Sequence, residues 1–159
     1  MITPLQTGYF VLLLTTTTWL TSCSKDDKPV PRTRTELLTG PQWRLTGFVS
    51  VSTFNGTVMT ENEPIAACEQ DDLLQFSVTP SAQTFVIDQG PLVCGSLSDA
   101  GYRGRWELAS NETILRYNSG TSYQGDEKIL TLTDTQLVTL YEGRNNAGPY
   151  SQTRTYTAR

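Results

Sequence analysis

The sequence WRLTGFVSVS, residues 43–52, alternates apolar and polar side chains along most of its length. Apolar residues take every second position before and after Gly47-Phe48, namely at Trp43, Leu45, Val49 and Val51. Such alternation is typical of a β-strand with one buried face. Shorter segments with the same period recur along the chain, separated by turn-forming residues. The pattern predicts about eight strands, built around residues 43–52, 74–78, 85–87, 103–108, 115–117, 130–132, 138–140 and 153–157.

Mostly short links join these predicted strands, so consecutive strands are expected to pair in antiparallel fashion. We therefore predict an all-β fold, an eight-stranded antiparallel up-and-down barrel, because closure of the sheet removes its exposed edges. A two-sheet sandwich is compatible with the same pattern. Helical periodicity is confined to a short turn at Glu36-Leu37-Leu38, and the two longest connections cover residues 53–71 and 90–102.

The N-terminus carries a short apolar segment that ends in a cysteine. Tyr9 to Leu14 and then Trp19-Leu20 are apolar, and Thr21-Ser22-Cys23 follows. This run is shorter than the roughly 20 residues of a membrane-spanning helix. It resembles the signal peptide and lipobox of bacterial lipoproteins, in which the cysteine becomes the lipidated N-terminus. The resemblance implies a signal peptide over residues 1–22, a lipidated Cys23, a flexible tether over residues 23–35 and one domain over residues 36–159. An uncleaved anchor is the alternative.

Charged residues follow this cysteine directly. Ser24-Lys25-Asp26-Asp27 resembles the lipoprotein export signal of one Gram-negative phylum, a lysine followed by two acidic residues. In that group of proteins the signal directs lipoproteins to the outer face of the outer membrane. The resemblance implies a protein that is lipid-anchored in the outer membrane and faces the cell exterior, whereas a solvated, charged tether is the alternative.

The two remaining cysteines form an even pair once Cys23 is assigned to the lipid. In an oxidising compartment we expect Cys68 and Cys94 to form a disulfide, with a free thiol at either position as the alternative. Each lies in one of the two long connections. The disulfide would therefore join loop to loop, at one mouth of a barrel.

Composition argues against several classes of function. The chain has a net charge of −4 and no histidine, and an acidic balance without a basic cluster argues against nucleic-acid binding. Without histidine, Ser–His and Cys–His catalysis and the usual zinc ligand sets are excluded. The acidic pairs Asp71-Asp72 and Asp126-Glu127 lack the ordered spacing of a known calcium loop. We expect a protein that is not an enzyme and that holds no metal or cofactor.

Several short motifs occur in an order that resembles the lipocalin-like domain of bacterial surface lipoproteins. They span nearly the whole mature domain and are Gly40-Pro41-Gln42-Trp43-Arg44-Leu45, Cys68-Glu69-Gln70-Asp71-Asp72, Gly104-Arg105-Trp106-Glu107-Leu108 and Ile129-Leu130-Thr131-Leu132. One departure is an extra residue between Gly40 and Trp43. The resemblance implies a barrel with a ligand cavity, and it names no ligand.

A barrel interior of this kind either is filled by side chains or leaves room for one small ligand. Tyr117, Tyr102 or Arg103 could supply polar anchors for a small apolar or amphipathic molecule. The alternative is a structural or protein-interaction module, which exposed aromatic residues at Phe54, Tyr123, Tyr141 and Tyr150 would favour. The candidate cavity residues are those on the apolar phase of their strands: Trp43, Leu45, Phe76, Phe85, Trp106, Tyr117 and Leu132.

Overall fold

The computed structural model describes residues 30–94, 103–122 and 124–159. The predictions for the signal peptide, for Cys23 and the export signal, and for Tyr102 and Tyr123 lie outside the described residues. Pro31–Arg159 form one compact unit. Within the described ranges, no helix is both long enough and apolar enough to cross a membrane.

The described residues form one short helix and nine strands. The helix coincides with the turn predicted at Glu36-Leu37-Leu38. Its first turn is closed by a capping box, in which the Thr33 side chain accepts a hydrogen bond from the Glu36 backbone and the Glu36 side chain accepts one from the Thr33 backbone. The elements are α1 (Arg34–Thr39), β1 (Trp43–Phe54), β2 (Thr57–Asn62), β3 (Leu73–Thr79), β4 (Ala82–Asp88), β5 (Arg103–Ala109), β6 (Ile114–Tyr117), β7 (Gly125–Leu132), β8 (Gln136–Asn145) and β9 (Gly148–Ala158).

The strands form a closed antiparallel barrel. Their order in the sheet is β2-β1-β3-β4-β5-β6-β7-β8-β9, and β1 also pairs with β9. Eight strands, β1 and β3 to β9, therefore complete a ring, while β2 lies outside it. This confirms the predicted all-β, eight-stranded antiparallel barrel and excludes the two-sheet sandwich.

Strand β2 corrects the expectation of a loop over residues 53–71. It pairs with β1 from Phe54↔Thr57 to Val49↔Asn62, and all six of its residues are exposed. Because neither face of β2 is buried, its sequence carries no alternation of apolar and polar residues. The available signal was the turn dipeptide Asn55-Gly56, whose φ angles of 50° and 81° suit the tight turn of a β-hairpin.

Strand β1 contains a bulge that changes which residues face the interior. Its register against β9 shifts between Leu45 and Gly47, so that Leu45 pairs with Tyr156 and Phe48 pairs with Arg154. The uninterrupted alternation had placed Val49 and Val51 on the same face as Trp43. The extra residue of the bulge reverses the phase, and Phe48 turns inward instead.

A second bulge has the same effect on the β7–β8 pair, between Ile129 and Thr131. Leu130, predicted on the same face as Leu132, is 54% exposed, whereas Ile129 and Leu132 contact the core. On β8 the buried residues are Leu137 and Thr139. The sequence had suggested Val138 and Leu140, which lie on the opposite face of that strand.

The core lies inside the barrel, and α1 contributes one residue to it. Leu38 of α1 and Trp43 of β1 are fully buried, and Trp43 Nε1 donates a 2.8 Å hydrogen bond to the Leu38 carbonyl. The rings of Phe76 and Trp106 meet edge to face with centroids 5.5 Å apart. The buried apolar residues are Leu38, Trp43, Leu74, Phe76, Phe85, Trp106, Leu115 and Leu137.

Cys68 and Cys94 form the predicted disulfide, with their Cα atoms 5.3 Å apart. It joins the segment before β3 to the segment after β4. A second link lies beside it, where Asp71 Oδ2 accepts a 3.1 Å hydrogen bond from the Leu92 backbone. Gly90 has a φ of 60°, and a Cβ there would lie 2.6 Å from Asp71 Oδ2, so this close approach requires glycine.

Removal of the disulfide tests how much it stabilises the barrel. We expect the Cys68→Ser/Cys94→Ser variant to lose about 3 kcal/mol of unfolding free energy, because the loop closed in the unfolded chain is released. Guanidinium titrations followed by circular dichroism would measure the loss. Reduction of the wild-type protein should produce the same shift, and a reductant should leave the double variant unchanged. Coincident unfolding curves for the oxidised wild type and the variant would contradict the prediction.

Candidate functional site

The barrel interior contains a cavity beyond the packed core. Its volume is about 410 Å³, which lies within the range of roughly 300–1,000 Å³ that is usual for ligand pockets. A smaller cavity of about 130 Å³ adjoins it and shares three of its lining residues. The larger cavity is lined by Leu74, Phe85, Ile87, Tyr117, Gly125, Glu127, Arg154 and Tyr156. The smaller cavity adds Trp43, Leu45, Glu69 and Asp72.

One wall of the larger cavity is apolar and comes from β3 and β4. Leu74 and Ile87 are register partners on these strands, and both side chains face the interior. Phe85 lies two residues before Ile87 and therefore on the same face. Its ring meets that of Tyr117 edge to face at 5.1 Å. The cavity thus offers an aromatic and aliphatic surface to an apolar group.

The opposite wall carries an ion pair between β7 and β9. Arg154 Nη1 donates a 2.6 Å hydrogen bond to Glu127 Oε1, and Arg154 Nη2 donates one of 2.9 Å to Gln152. The guanidinium also lies over the Phe48 ring, 5.4 Å from its centroid, at a distance suited to a cation–π contact. Glu127 is only 8% exposed. These contacts hold two opposite charges at a fixed place in a mainly apolar interior.

Glu127 retains one oxygen that this pair does not use. Glu127 Oε2 is buried and has no hydrogen-bond partner among the residues that the structure describes. A buried carboxylate oxygen without a donor is costly, since folding removes its water without replacing it. The site therefore presents an unused acceptor beside a cavity.

Two tyrosines complete the polar wall. Burial raises the pKa of Tyr117 well above its usual range, and the negative charge of Glu127 raises it further. Burial is also the main cause of the raised pKa of Tyr156, and the charge of Glu127 adds to it. The positive charge of Arg154 opposes the rise in pKa of both tyrosines. Both phenols consequently keep their protons further into the alkaline range than an ordinary tyrosine does, and at neutral pH each can donate a hydrogen bond.

The residues predicted from the sequence line one of the two cavities, belong to or contact the packed core, or lie on the outer face. Phe85 and Tyr117 line the larger cavity, and Trp43 and Leu45 line the smaller one. Phe76 and Leu132 belong to the packed region or contact it. Trp106 is buried and its Nε1 donates to the carbonyls of Thr84 and Ser77, at 3.0 and 3.3 Å. Arg103, suggested as an anchor, is exposed on β5 opposite the exposed Val86, on the outer face.

The polar wall was missed by the sequence analysis. Asp126 and Glu127 lie outside the strands predicted from the sequence, but both belong to β7, on opposite faces. Asp126 points outward and accepts hydrogen bonds of 2.7 and 2.8 Å from Arg116, whereas Glu127 points inward. On β9 the threonines at every second position marked the strand, and Arg154 and Tyr156 occupy the alternate, inward phase. The position of Arg154 and Tyr156 between these threonines was the sequence signal that could have placed them on the inner face.

The acidic residues beside the smaller cavity do not form a metal site. Burial raises the pKa of Asp72, and the negative charges of Asp71, Glu69 and Asp88 raise it further. Asp71 is used in the contact with Leu92. Across the described parts of the chain, no group of three or more His, Cys, Asp or Glu residues is placed to hold a metal ion.

Tyrosine ionisation tests the polarity of the cavity. A tyrosine whose pKa is raised on folding contributes stability that is complete below the unfolded pKa of about 10 and is lost as the pH rises through the folded pKa. We expect the unfolding free energy to fall above about pH 10, and to fall less steeply in a Tyr117→Phe/Tyr156→Phe variant. Denaturant titrations across an alkaline pH series would measure both slopes. Equal slopes would show that these phenols are not shielded from water.

The comparisons with known proteins do not assign the chain to a family. No family model matches it, and none of the curated proteins matches it in sequence. The geometry of the barrel interior is therefore the observation from which a function can be argued.

Proposed function

We propose that this chain is a lipocalin-like lipoprotein, anchored at the outer membrane, which binds one small amphipathic molecule inside its barrel. The observation that carries the proposal is the cavity of about 410 Å³ with an apolar wall on β3 and β4 and a polar wall on β7 and β9. A plain hydrophobic core would have no reason to hold an ion pair and an unused carboxylate oxygen beside empty space.

The shape of the cavity favours a ligand with two chemically different ends. Burial of apolar surface contributes roughly 25 cal/mol per Å², so the hydrocarbon part of a ligand gains most of its affinity against Leu74, Phe85 and Ile87. Glu127 and the tyrosines orient the polar end. A few fixed polar groups within a mainly apolar pocket are the usual arrangement of a small-molecule site.

Gly125 offers a way to fill the cavity without straining the backbone. It lines the cavity, its φ lies outside the left-handed region, and a Cβ built on it meets no atom within 4 Å. We expect Gly125→Leu to abolish binding of N-phenyl-1-naphthylamine, an uncharged apolar dye whose fluorescence rises out of water, because the leucine occupies the dye's volume. Fluorescence titration measures the affinity.

The matched control is Val86→Leu, which adds bulk on β4 between two cavity residues but on the outer face, where Val86 is 42% exposed. This variant should bind the dye as the wild type does, and both variants should keep the wild-type melting temperature. Dye binding that survives in Gly125→Leu with an unchanged melting temperature would place the dye outside the barrel and remove the proposal.

A second candidate, a protein-docking module, is supported by the hairpin of β1 and β2. Phe54, Val58 and Met59 are exposed on this hairpin, at 53%, 65% and 42%. Tyr141 and Tyr150, which the sequence analysis grouped with Phe54, instead contact each other at 5.9 Å and are half-buried. The barrel cavity is the stronger argument, since scattered exposed apolar residues are common on protein surfaces.

The anchoring half of the proposal rests on Cys23 and the charged residues after it. We expect Cys23→Ala to abolish incorporation of a labelled fatty acid and to release the protein from the membrane fraction, because lipid chains supply the attachment. The matched control, Lys25→Ala/Asp26→Ala/Asp27→Ala, should keep the lipid but lose protease accessibility on intact cells. Label retained in Cys23→Ala would contradict lipidation at this residue.

A further inference from the structure

We infer that the ligand carries an uncharged hydroxyl group at its polar end, and that this hydroxyl donates a hydrogen bond to Glu127 Oε2. The inference rests on the proposed ligand-binding function and adds the chemical class of the ligand. It depends on three properties of the cavity, namely an unused acceptor, a balance of charge and a pair of tyrosine hydroxyls.

The unused acceptor sets the first requirement. Arg154 satisfies Glu127 Oε1, while Oε2 is buried without a partner among the described residues. A ligand that brings an O–H donor to this oxygen removes the cost of leaving it unpaired, whereas a pure hydrocarbon leaves that cost in place. Binding of a donor is therefore favoured over binding of a hydrocarbon with the same body.

The balance of charge sets the second requirement. Among the described residues, those that line the larger cavity with a charge are Glu127 and Arg154, and their charges cancel within one ion pair. A carboxylate or an ammonium group would leave one charge without compensation in a mainly apolar interior, which is costly. Glu69 and Asp72 beside the smaller cavity further oppose a carboxylate. A neutral group avoids both costs.

The tyrosines supply hydrogen-bond donors from which the ligand hydroxyl can accept. A hydroxyl group accepts hydrogen bonds as well as donating them. Tyr117 and Tyr156 line the same cavity, and their phenols are protonated at neutral pH. A ligand hydroxyl can thus donate to Glu127 Oε2 and accept from a tyrosine, which matches both kinds of polar group on this wall.

A matched series of ligands tests the inference on the purified full-length protein. 1-Octanol, octanoate and octylammonium share one apolar body and differ in the charge of the polar end. Each is titrated at neutral pH against the complex with N-phenyl-1-naphthylamine, and displacement of the dye gives its affinity. For the wild type we expect octanol to bind about tenfold more tightly than either charged compound.

Glu127→Gln changes the charge of the wall while keeping the shape of the side chain. Arg154 then has no counter-charge among the described residues that line the cavity, so we expect octanoate to gain about a hundredfold in affinity and to overtake octanol. The matched control is Glu142→Gln, which removes a carboxylate from the exposed ion pair with Lys128 and should keep the wild-type order. Misfolding exposes apolar surface to all three compounds alike, so a gain that is selective for octanoate remains interpretable if the variant is less stable.

The outcomes separate the inference from the function on which it rests. If the dye does not bind the wild type and no compound of the series binds, the proposed function fails and the inference fails with it. If the dye binds but octanoate or octylammonium displaces it better than octanol, the inference alone is overturned. Tight octylammonium binding that persists in Glu127→Gln would assign recognition to the carboxylates of the smaller cavity and would also overturn it.

Discussion

The fold depends on how strand β1 divides its two edges among three partners. One edge pairs with β9 along almost the whole strand, from Trp43↔Ala158 to Ser52↔Tyr150. The other edge meets β3 at a single register pair, Trp43↔Leu74, and from Val49 onward it pairs with β2 instead. Closure of the barrel therefore rests on a short seam between β1 and β3, because the hairpin partner takes the rest of that edge.

Other contacts reinforce the strands beside this seam. Trp43 is fully buried, and its Nε1 donates a hydrogen bond to the Leu38 carbonyl. Helix α1 therefore contacts the residue of β1 that pairs with β3. The disulfide and the bond from Leu92 to Asp71 hold the segments that flank β3 and β4. A shallow groove of about 600 Å³ follows β1 where it leaves the seam, between Arg44–Val49 and the segment after β2. The covalent link thus lies beside the part of the barrel where backbone pairing is least extensive.

The sequence predicted the parts of the fold that follow from regular alternation. Most strands and the closed barrel were predicted, because the alternation that places Phe76 and Phe85 inside continues without interruption through their strands. The disulfide was predicted as well, from the even pair of cysteines. Val49 and Leu130 were assigned to the wrong face, because each follows or lies at a bulge, and one extra residue reverses every side chain beyond it. Strand β2 has no buried face and thus no pattern to detect.

The polar wall was missed for a different reason. Glu127 and Arg154 lie 27 positions apart and become neighbours only because β7 and β9 are brought to the same side of a closed barrel. A charge that interrupts an alternating strand indicates the solvent face when each strand is considered alone. Closure of the barrel places the alternate residues of β9 in the interior. Prediction of the site therefore required the strand topology as well as the alternation of side chains.

The two ends of the barrel interior consequently have different roles. The end nearer α1 is closely packed, and it contains the rings of Phe76 and Trp106. The far end holds the ion pair, whose desolvation has a cost that hydrophobic residues of similar volume would avoid. Thr139, which pairs with Arg154 across β8 and β9, is also buried there, and its hydroxyl has no partner among the described residues. Of these two groups, Glu127 also lines the larger cavity, and an unpaired acceptor on a cavity wall is what a site for a ligand with a hydrogen-bond donor requires.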